Sequence, residues 1–542
     1  MVVPSTESAE ALAPNDISST IRRPNHQEKV ETHIMTRRQL TRSTLVLSLA
    51  ALISKALGAF FRIPLQNIAG DEVLGLFNMV YPFYMIALFL SVAGIPVALS
   101  KLIAESRQNK DSEQIRDLFH TARMIAIVFG ILSWLTLFLL SGPLSKLFGE
   151  PDAKLSIMIV SFTLLLAPFM AVYRGYYQGF EDMTPTGVSQ VLEQTARVFL
   201  SLGVAYVLVQ MNAGYETVTA GVMAGTIIGV LVSFFYLWSK KQAPDFSIRR
   251  LPFKKLRHQS RTILAISLPI AFGSLTLALM NVVDSLTIPY VLNVQGKEDA
   301  TYLYGLYGRG IVLVQVATVF AASVVLPLIP SVSKRLVDHQ YDKISKTIRK
   351  ALTYTHLLSW PAGIGLLVLS VPLNIALFTN SEQSGVLAVI VISSIFMSFS
   401  ILGTGILQGL GKPWIASIIV FGAALLKTGL NIIGVYSIGL LGAALATLVL
   451  FILLHVANRI VIQRTITVPS TGDGWKAVIS SIMMGALIGL PLLWMNVYEW
   501  SRLESMLYSA GSIIIGAAIY AALLVLFKVK EIQLYLAKWK RR

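Results

Sequence analysis

Seven ionisable side chains fall in or at the edge of long apolar runs: Lys55, Arg62, Arg197, Arg309 and Lys427 among the cations, Glu193 and Asp284 among the acids. Placing such a group at bilayer depth costs at least about 2.5–3.5 kcal/mol on insertion scales, so each one marks a partner or a hydrated cavity. Five cations against two acids leave an excess of positive charge. Buried cations without counter-charges are costly, so the excess implies an anionic ligand, and Arg can grip phosphate through paired donors. Lys55 and Arg62 stand seven residues apart, close to two helical turns, and project from one face. Together with Arg309, which lies at a similar depth in the outer half, they are the candidate substrate-binding residues. Glu193 and Arg197 are four apart, the spacing of an internal ion pair whose role is structural neutralisation.

These residues are carried by a chain of 542 residues that is 55% hydrophobic and only 13% charged. Apolar runs of about 20 residues, the length that crosses the hydrocarbon core, recur throughout. The punctuation between them predicts an all-α, polytopic membrane protein with fourteen spans, at 43–68, 75–100, 119–141, 155–178, 187–209, 215–239, 262–291, 304–331, 351–378, 386–410, 413–437, 439–463, 475–497 and 504–527. Placing the N-terminus in the cytosol puts 36 of the 45 Lys and Arg on the cytosolic side, a strong positive-inside bias for cytosolic N- and C-termini. The net charge of +17 is therefore read as topology and anionic-lipid contact, through the basic loops 240–261 and 334–350, and not as nucleic-acid binding. The absence of cysteine excludes disulfides and thiol chemistry. Residues 1–35 are polar, contain no signal-peptide core and read as a disordered cytosolic tail or as a mis-assigned start ahead of Met35. Tyr173, Arg174, Tyr176 and Tyr177 at a cytosolic helix end read as an interfacial belt. His356 and His455 read as single residues without ligand partners, and no metal site is expected.

The chain repeats itself. Gly75-Leu76-Phe77-Asn78 answers Gly305-Leu306-Tyr307-Gly308 at an offset of 230, and Gln178-Gly179-Phe180 answers Gln408-Gly409-Leu410 at the same offset. Arg197 falls on Lys427 and Tyr206 on Tyr436. Each repeat holds six spans, so both enter from the same side and are related by an axis along the membrane normal, with a site expected at their interface. The domains expected are an N-lobe at 36–239, a basic linker at 240–261, a C-lobe at 262–463, and two further helices with a basic tail at 464–542.

The run Ser54-Lys55-Ala56-Leu57-Gly58, then Arg62, Gly70, Gly75-Leu76-Phe77 and Gly94-Ile95-Pro96-Val97-Ala98-Leu99-Ser100-Lys101, resembles the opening of the stage V sporulation protein B family. That family is similar to the lipid II flippase MurJ within the multidrug/oligosaccharidyl-lipid/polysaccharide (MOP) exporter superfamily. Tyr304 to Arg309 and Leu326-Pro327 resemble its eighth helix, and the likeness covers almost all of residues 36–530. The resemblance implies a MATE/MurJ-like fold and a flippase that moves a polyprenyl-pyrophosphate-linked oligosaccharide, lipid II first, from the inner to the outer leaflet by alternating access. It implies that Lys55, Arg62 and Arg309 face the central cavity. Relatives carry a further basic cluster late in the second helix, and residues 83–99 here hold none.

The resemblance also implies a coupling group. Some relatives hold sodium between the seventh, eleventh and twelfth helices through an acid, a polar pair and a threonine. Asp284, Asn431 and Thr447 fit those places, and Lys427 stands where an oxygen ligand would be. A switchable Asp284–Lys427 pair without a bound metal is therefore expected. No cofactor is expected, and the partners are the lipid-linked glycan, membrane lipids and, as neighbours, wall-synthesis enzymes. The alternatives are a capsule or teichoic-type glycan exporter, a cation-coupled multidrug antiporter, which would want an acidic cavity, and a non-transporting wall-synthesis scaffold. No nucleotide-binding loop, zinc-protease motif or serine elbow occurs, so a hydrolytic enzyme is not expected.

Overall fold

A computed structural model describes residues 37–92, 94–240, 251–297, 299–468 and 472–533; the N-terminal segment and most of the basic linker lie outside the described residues. Seventeen α-helices follow one another, and no strand occurs among the described residues. The first half holds α1 (Arg37–Phe60), α2 (Arg62–Val92), α3 (Ile95–Gln108), α4 (Ser112–Phe148), α5 (Ala153–Ser161), α6 (Thr163–Gly179), α7 (Thr184–Gln210) and α8 (Tyr215–Trp238). The second half holds α9 (Phe253–Val294), α10 (Ala300–Val337), α11 (Tyr341–Val368), α12 (Ser370–Phe378), α13 (Ser384–Gly409), α14 (Pro413–Ile438) and α15 (Leu440–Thr465), and α16 (Gly474–Gly489) and α17 (Arg502–Leu526) complete the chain.

Local chemistry sets several helix ends. Asp111 caps α4 by accepting from the backbone N–H of Gln114 at 2.8 Å. Ser501 and Glu504 form a capping box at the start of α17. The expected first span, 43–68, is not one helix: α1 stops at Phe60, and the next helical stretch is interrupted at Gly70, whose φ of 87° only glycine adopts freely. The expected fourth span is divided between α5 and α6. The expected ninth is divided between α11 and α12, which meet at a bend of 77°. The thirteenth stops being α-helical at Gly489, ahead of Pro491, and continues as a short 3-10 turn to Leu493. Among the described residues eleven helices, or twelve counting the bent pair, are long and apolar enough to span a membrane; Leu45–Gln108, which carries the first two expected spans, counts as one of them.

The helices that position the site are α2 and α10. They cross where the two repeated glycine motifs meet. A Cβ on Gly75 would lie 2.0 Å from the carbonyl oxygen of Thr301, and one on Gly305 would lie 2.0 Å from that of Asp71. Only glycine on both helices allows backbones this close. Sequence positions 230 residues apart thus touch each other.

Helix α9 contacts both halves. Its first turns are held by the first half, through Lys255 to Asp117 at 2.5 Å and Thr121 to Gln259 at 2.7 Å. Its last turns are held by α14 through Asp284. On the positive-inside rule, the end near Lys254 is expected in the cytosol and the loop around Lys297 outside. A single cysteine at Lys297 should therefore react with an impermeant thiol reagent in intact cells, and one at Lys254 should not. Labelling of position 254 without 297 would reverse the orientation.

Candidate functional site: a cationic cavity and two buried ion pairs

Below the α2–α10 crossing lies a cavity of about 520 Å³. It follows one face of α2 from Phe77 through Tyr81 and Met85 to Phe89, and is completed by α1, α7, α8, α9 and α10. Among the described residues three cations line it, Lys55, Arg62 and Arg197, and no Asp or Glu does. Its other polar groups are neutral: Ser54, Asn78, Tyr81, Gln194, Asn281, Tyr304 and Gln315 are among them.

Arg62 is 7% exposed. Its guanidinium donates to Gln315 Oε1 at 3.1 Å and lies over the rings of Phe77 and Tyr81, 5.6 and 5.7 Å from their centroids. Its Nε makes no hydrogen bond among the described residues. Lys55 faces the same cavity from α1 and is exposed. The two residues expected on one face of a single helix thus come from either side of the break at Phe61 and still reach one cavity.

Arg309 does not line that cavity. It is fully buried at the crossing and holds Asp71 with two donors, Nε to Oδ1 at 2.8 Å and Nη2 to Oδ2 at 2.5 Å. Its Nη1 donates to Asn374 Oδ1 at 3.0 Å and to Asn380 Oδ1 at 2.7 Å. The expected cavity-facing role of Arg309 is therefore not what this arrangement presents: every guanidinium nitrogen is already bonded. Nearby, Asn67 donates to the carbonyl of Leu377 at 2.7 Å and Gln66 to that of Phe378 at 3.4 Å, so α2 is stitched to the end of α12. Asp71 was missed from the sequence because it falls between two expected spans; its place directly after Gly70 was the only hint.

Glu193 and Arg197 do pair, at 3.0 Å. Glu193 also accepts from Arg174 at 2.8 Å, and Arg174 further donates to Ser189 and Ser233. Arg174 is thus no part of an interfacial belt but the second arginine on one carboxylate. Arg197 Nη1 donates to Tyr81 Oη at 3.3 Å, and its Nε, like that of Arg62, makes no hydrogen bond among the described residues.

Of Asp284, Lys427, Asn431 and Thr447, the first three come together in one bonded group. Lys427 Nζ lies 2.6 Å from Asp284 Oδ2. Asn431 Nδ2 donates to Asp284 Oδ1 and to Thr287 Oγ1, each at 2.8 Å. Thr447 is hydrogen-bonded to Tyr307 at 2.9 Å, beside rather than within the pair. This set does not fit sodium, because the ammonium takes the carboxylate oxygen and Asn431 turns its donor toward the acid. Among the described residues no group of three or more His, Cys, Asp or Glu could hold a metal ion.

A helical bundle with many apolar, membrane-length helices, an interrupted first membrane stretch, a glycine-lined crossing and a cation-lined cavity defines a multi-pass membrane protein. Its fold matches the lipid II flippase MurJ in an inward closed conformation, with a TM-score of 0.63 at 18% identity over 89% of this chain and 98% of that one. It also matches an inward-facing MATE family multidrug resistance transporter, with a TM-score of 0.62 at 17% identity over 77% of this chain and 95% of that one. The chain belongs to the polysaccharide biosynthesis protein family, which matches residues 40–336. It is 31% identical to the uncharacterized membrane protein YabM of Bacillus subtilis, over 88% of this chain and 90% of that protein. It is 25% identical to the lipid II flippase MurJ of the same organism, over 89% of this chain and 94% of that protein.

Proposed function

We propose that this protein is a flippase for a polyprenyl-pyrophosphate-linked oligosaccharide, moving it from the cytosolic to the outer leaflet for cell-wall or surface polysaccharide synthesis. The observation that carries the reading is the cavity: three cations, neutral hydrogen-bonding groups and no carboxylate. Such a wall matches a pyrophosphate with sugars attached, and it disfavours a cationic drug, which would meet like charge. Its volume lies in the roughly 300–1,000 Å³ range of small-molecule sites, which suits the pyrophosphate and first sugars, while the polyprenyl tail stays in lipid. Relatives named as a lipid II flippase and as stage V sporulation protein B support lipid II as first substrate, with capsule or teichoic-type glycans second. In this reading the cavity is closed at the α2–α10 crossing by the Asp71–Arg309 pair. Transport follows when residues 36–239 rock against 262–463 and the Asp71–Arg309 contact parts.

The test is leaflet translocation by the full chain in vesicles, with labelled polyprenyl-pyrophosphate glycans beside a lipophilic cationic drug. Movement of at least one glycan lipid, lost about tenfold or more in Arg62→Ala, is the expected result. Movement of the drug alone would replace this reading with the antiporter.

A further inference from the structure

The repeat makes a second comparison possible. At the offset of 230, Arg197 corresponds to Lys427 and Ser54 corresponds to Asp284. Helices α1 and α7 pack together in the first half as α9 and α14 do in the second: a Cβ on Gly58 would meet Gln194 at 3.0 Å, and Ala424 and Val420 sit in one apolar cluster with Met280 and Val283. In the second half the buried cation is neutralised by the facing helix, Lys427 by Asp284 at 2.6 Å. In the first half that carboxylate is a hydroxyl. The Ser54 Oγ atom is buried and, among the described residues, makes no hydrogen bond; Ser54 lines the same cavity as Arg197, whose Nε is likewise without an acceptor there.

The remaining charges do not close the gap. Arg197 and Arg174 share the single carboxylate of Glu193, so this trio carries one positive charge in excess. The corresponding positions in the second half, Thr404 and Ala423, are uncharged. Lys55 follows Ser54 directly, and Arg62 lies over the ring of the tyrosine to which Arg197 donates. Every cavity cation therefore comes from the first half, whereas the second half supplies the neutral groups Asn281, Tyr304 and Gln315.

We infer that Ser54 and Arg197, assisted by Lys55, form an anion subsite that takes a phosphoryl oxygen where the other repeat holds its own carboxylate. The inference rests on the proposed function for the identity of the anion, a phosphate of the carried lipid, and the site itself is tested apart from it. One repeat carries a sealed internal ion pair and the other is completed only by its ligand. The headgroup is thus bound to the first half of the molecule, and the second half moves over it.

The experiment measures equilibrium binding of inorganic pyrophosphate to the detergent-purified full chain, alongside translocation of the glycan lipid. Ser54→Asp supplies the missing carboxylate, and is expected to weaken pyrophosphate binding at least tenfold and translocation to a similar extent, with unchanged elution and thermal unfolding. Ser54→Asn has nearly the same size without the charge, and is expected to stay within threefold of wild type. Arg197→Gln should resemble Ser54→Asp. Wild-type binding in Ser54→Asp, or equal losses in Ser54→Asn and Ser54→Asp, overturns the subsite. If the wild type binds pyrophosphate and Ser54→Asp does not, the subsite stands even where no polyprenyl lipid is moved, and only the proposed substrate falls.

Discussion

Removing the charge of Asp71 should open the α2–α10 crossing, where it holds Arg309. In Asp71→Asn, a single thiol placed at Ala278 on the cavity wall should react with an impermeant reagent from outside at least tenfold faster than in the otherwise unchanged protein. The chain contains no cysteine, so this thiol is the only one labelled. Arg309 is 0% exposed and Asp71 is its only acidic partner among the described residues. Leaving one member of a buried pair without its counter-charge costs about 3–5 kcal/mol. The closed arrangement bears that cost, because parting the α2–α10 crossing lets water reach the guanidinium. A shift of that size moves an equilibrium by about two to nearly four orders of magnitude, so tenfold is a lower bound. Arg309→Gln should expose the same thiol. The double variant should be less open than the two single effects combined predict, since no orphan charge remains. Transport lost in Asp71→Asn and Arg309→Gln without any gain in labelling would return Arg309 to the substrate-binding role first expected of it.

Sodium should not be required for transport by the wild-type protein. At matched membrane potential, rates in sodium and choline buffers are expected to agree within about twofold. Lys427 Nζ already sits 2.6 Å from Asp284 Oδ2, and an ammonium tethered there supplies the charge that a mobile cation would. Lys427→Asn should change this outcome. It leaves Asp284, Asn431 and Thr287 with a new carboxamide oxygen in one buried cluster, the oxygen-rich surroundings that hard cations prefer. Sodium dependence of at least tenfold should then appear. Asp284→Asn is the opposite case: it strands the 1%-exposed lysine and should lower stability by about 3–5 kcal/mol wherever the ammonium stays charged. Strong sodium dependence in the wild type would refute the tethered-cation reading.

Much of this was legible in the chain because membrane insertion constrains sequence so strongly. A run of apolar residues about 20 long has few other uses, and a charge inside one has to be accounted for. The helical architecture, the internal repeat, the cavity residues Lys55 and Arg62 and the Asp284–Lys427 pair were all visible on those grounds. Two kinds of information were not. Helix breaks at Phe61, Phe162 and the 77° bend between α11 and α12 leave the hydropathy intact, so a window of apolar residues reads straight through them.

Charge pairing across the molecule is the other. Asp71 and Arg309 are 238 residues apart, and nothing local ties a carboxylate after Gly70 to a guanidinium in the eighth expected span. Sequence alone established that cations in the apolar runs outnumber the acids there. Which of them are satisfied is decided only when helices meet: the α2–α10 crossing pairs Arg309 with Asp71, α14 carries Lys427 to Asp284, Arg197 shares Glu193 with Arg174, and Arg62 is left facing the cavity with no carboxylate partner among the described residues. The physical reason is one of range. Hydropathy is a property of neighbours in the chain, whereas neutralising a buried charge depends on groups within a few ångströms in space, which only packing brings together.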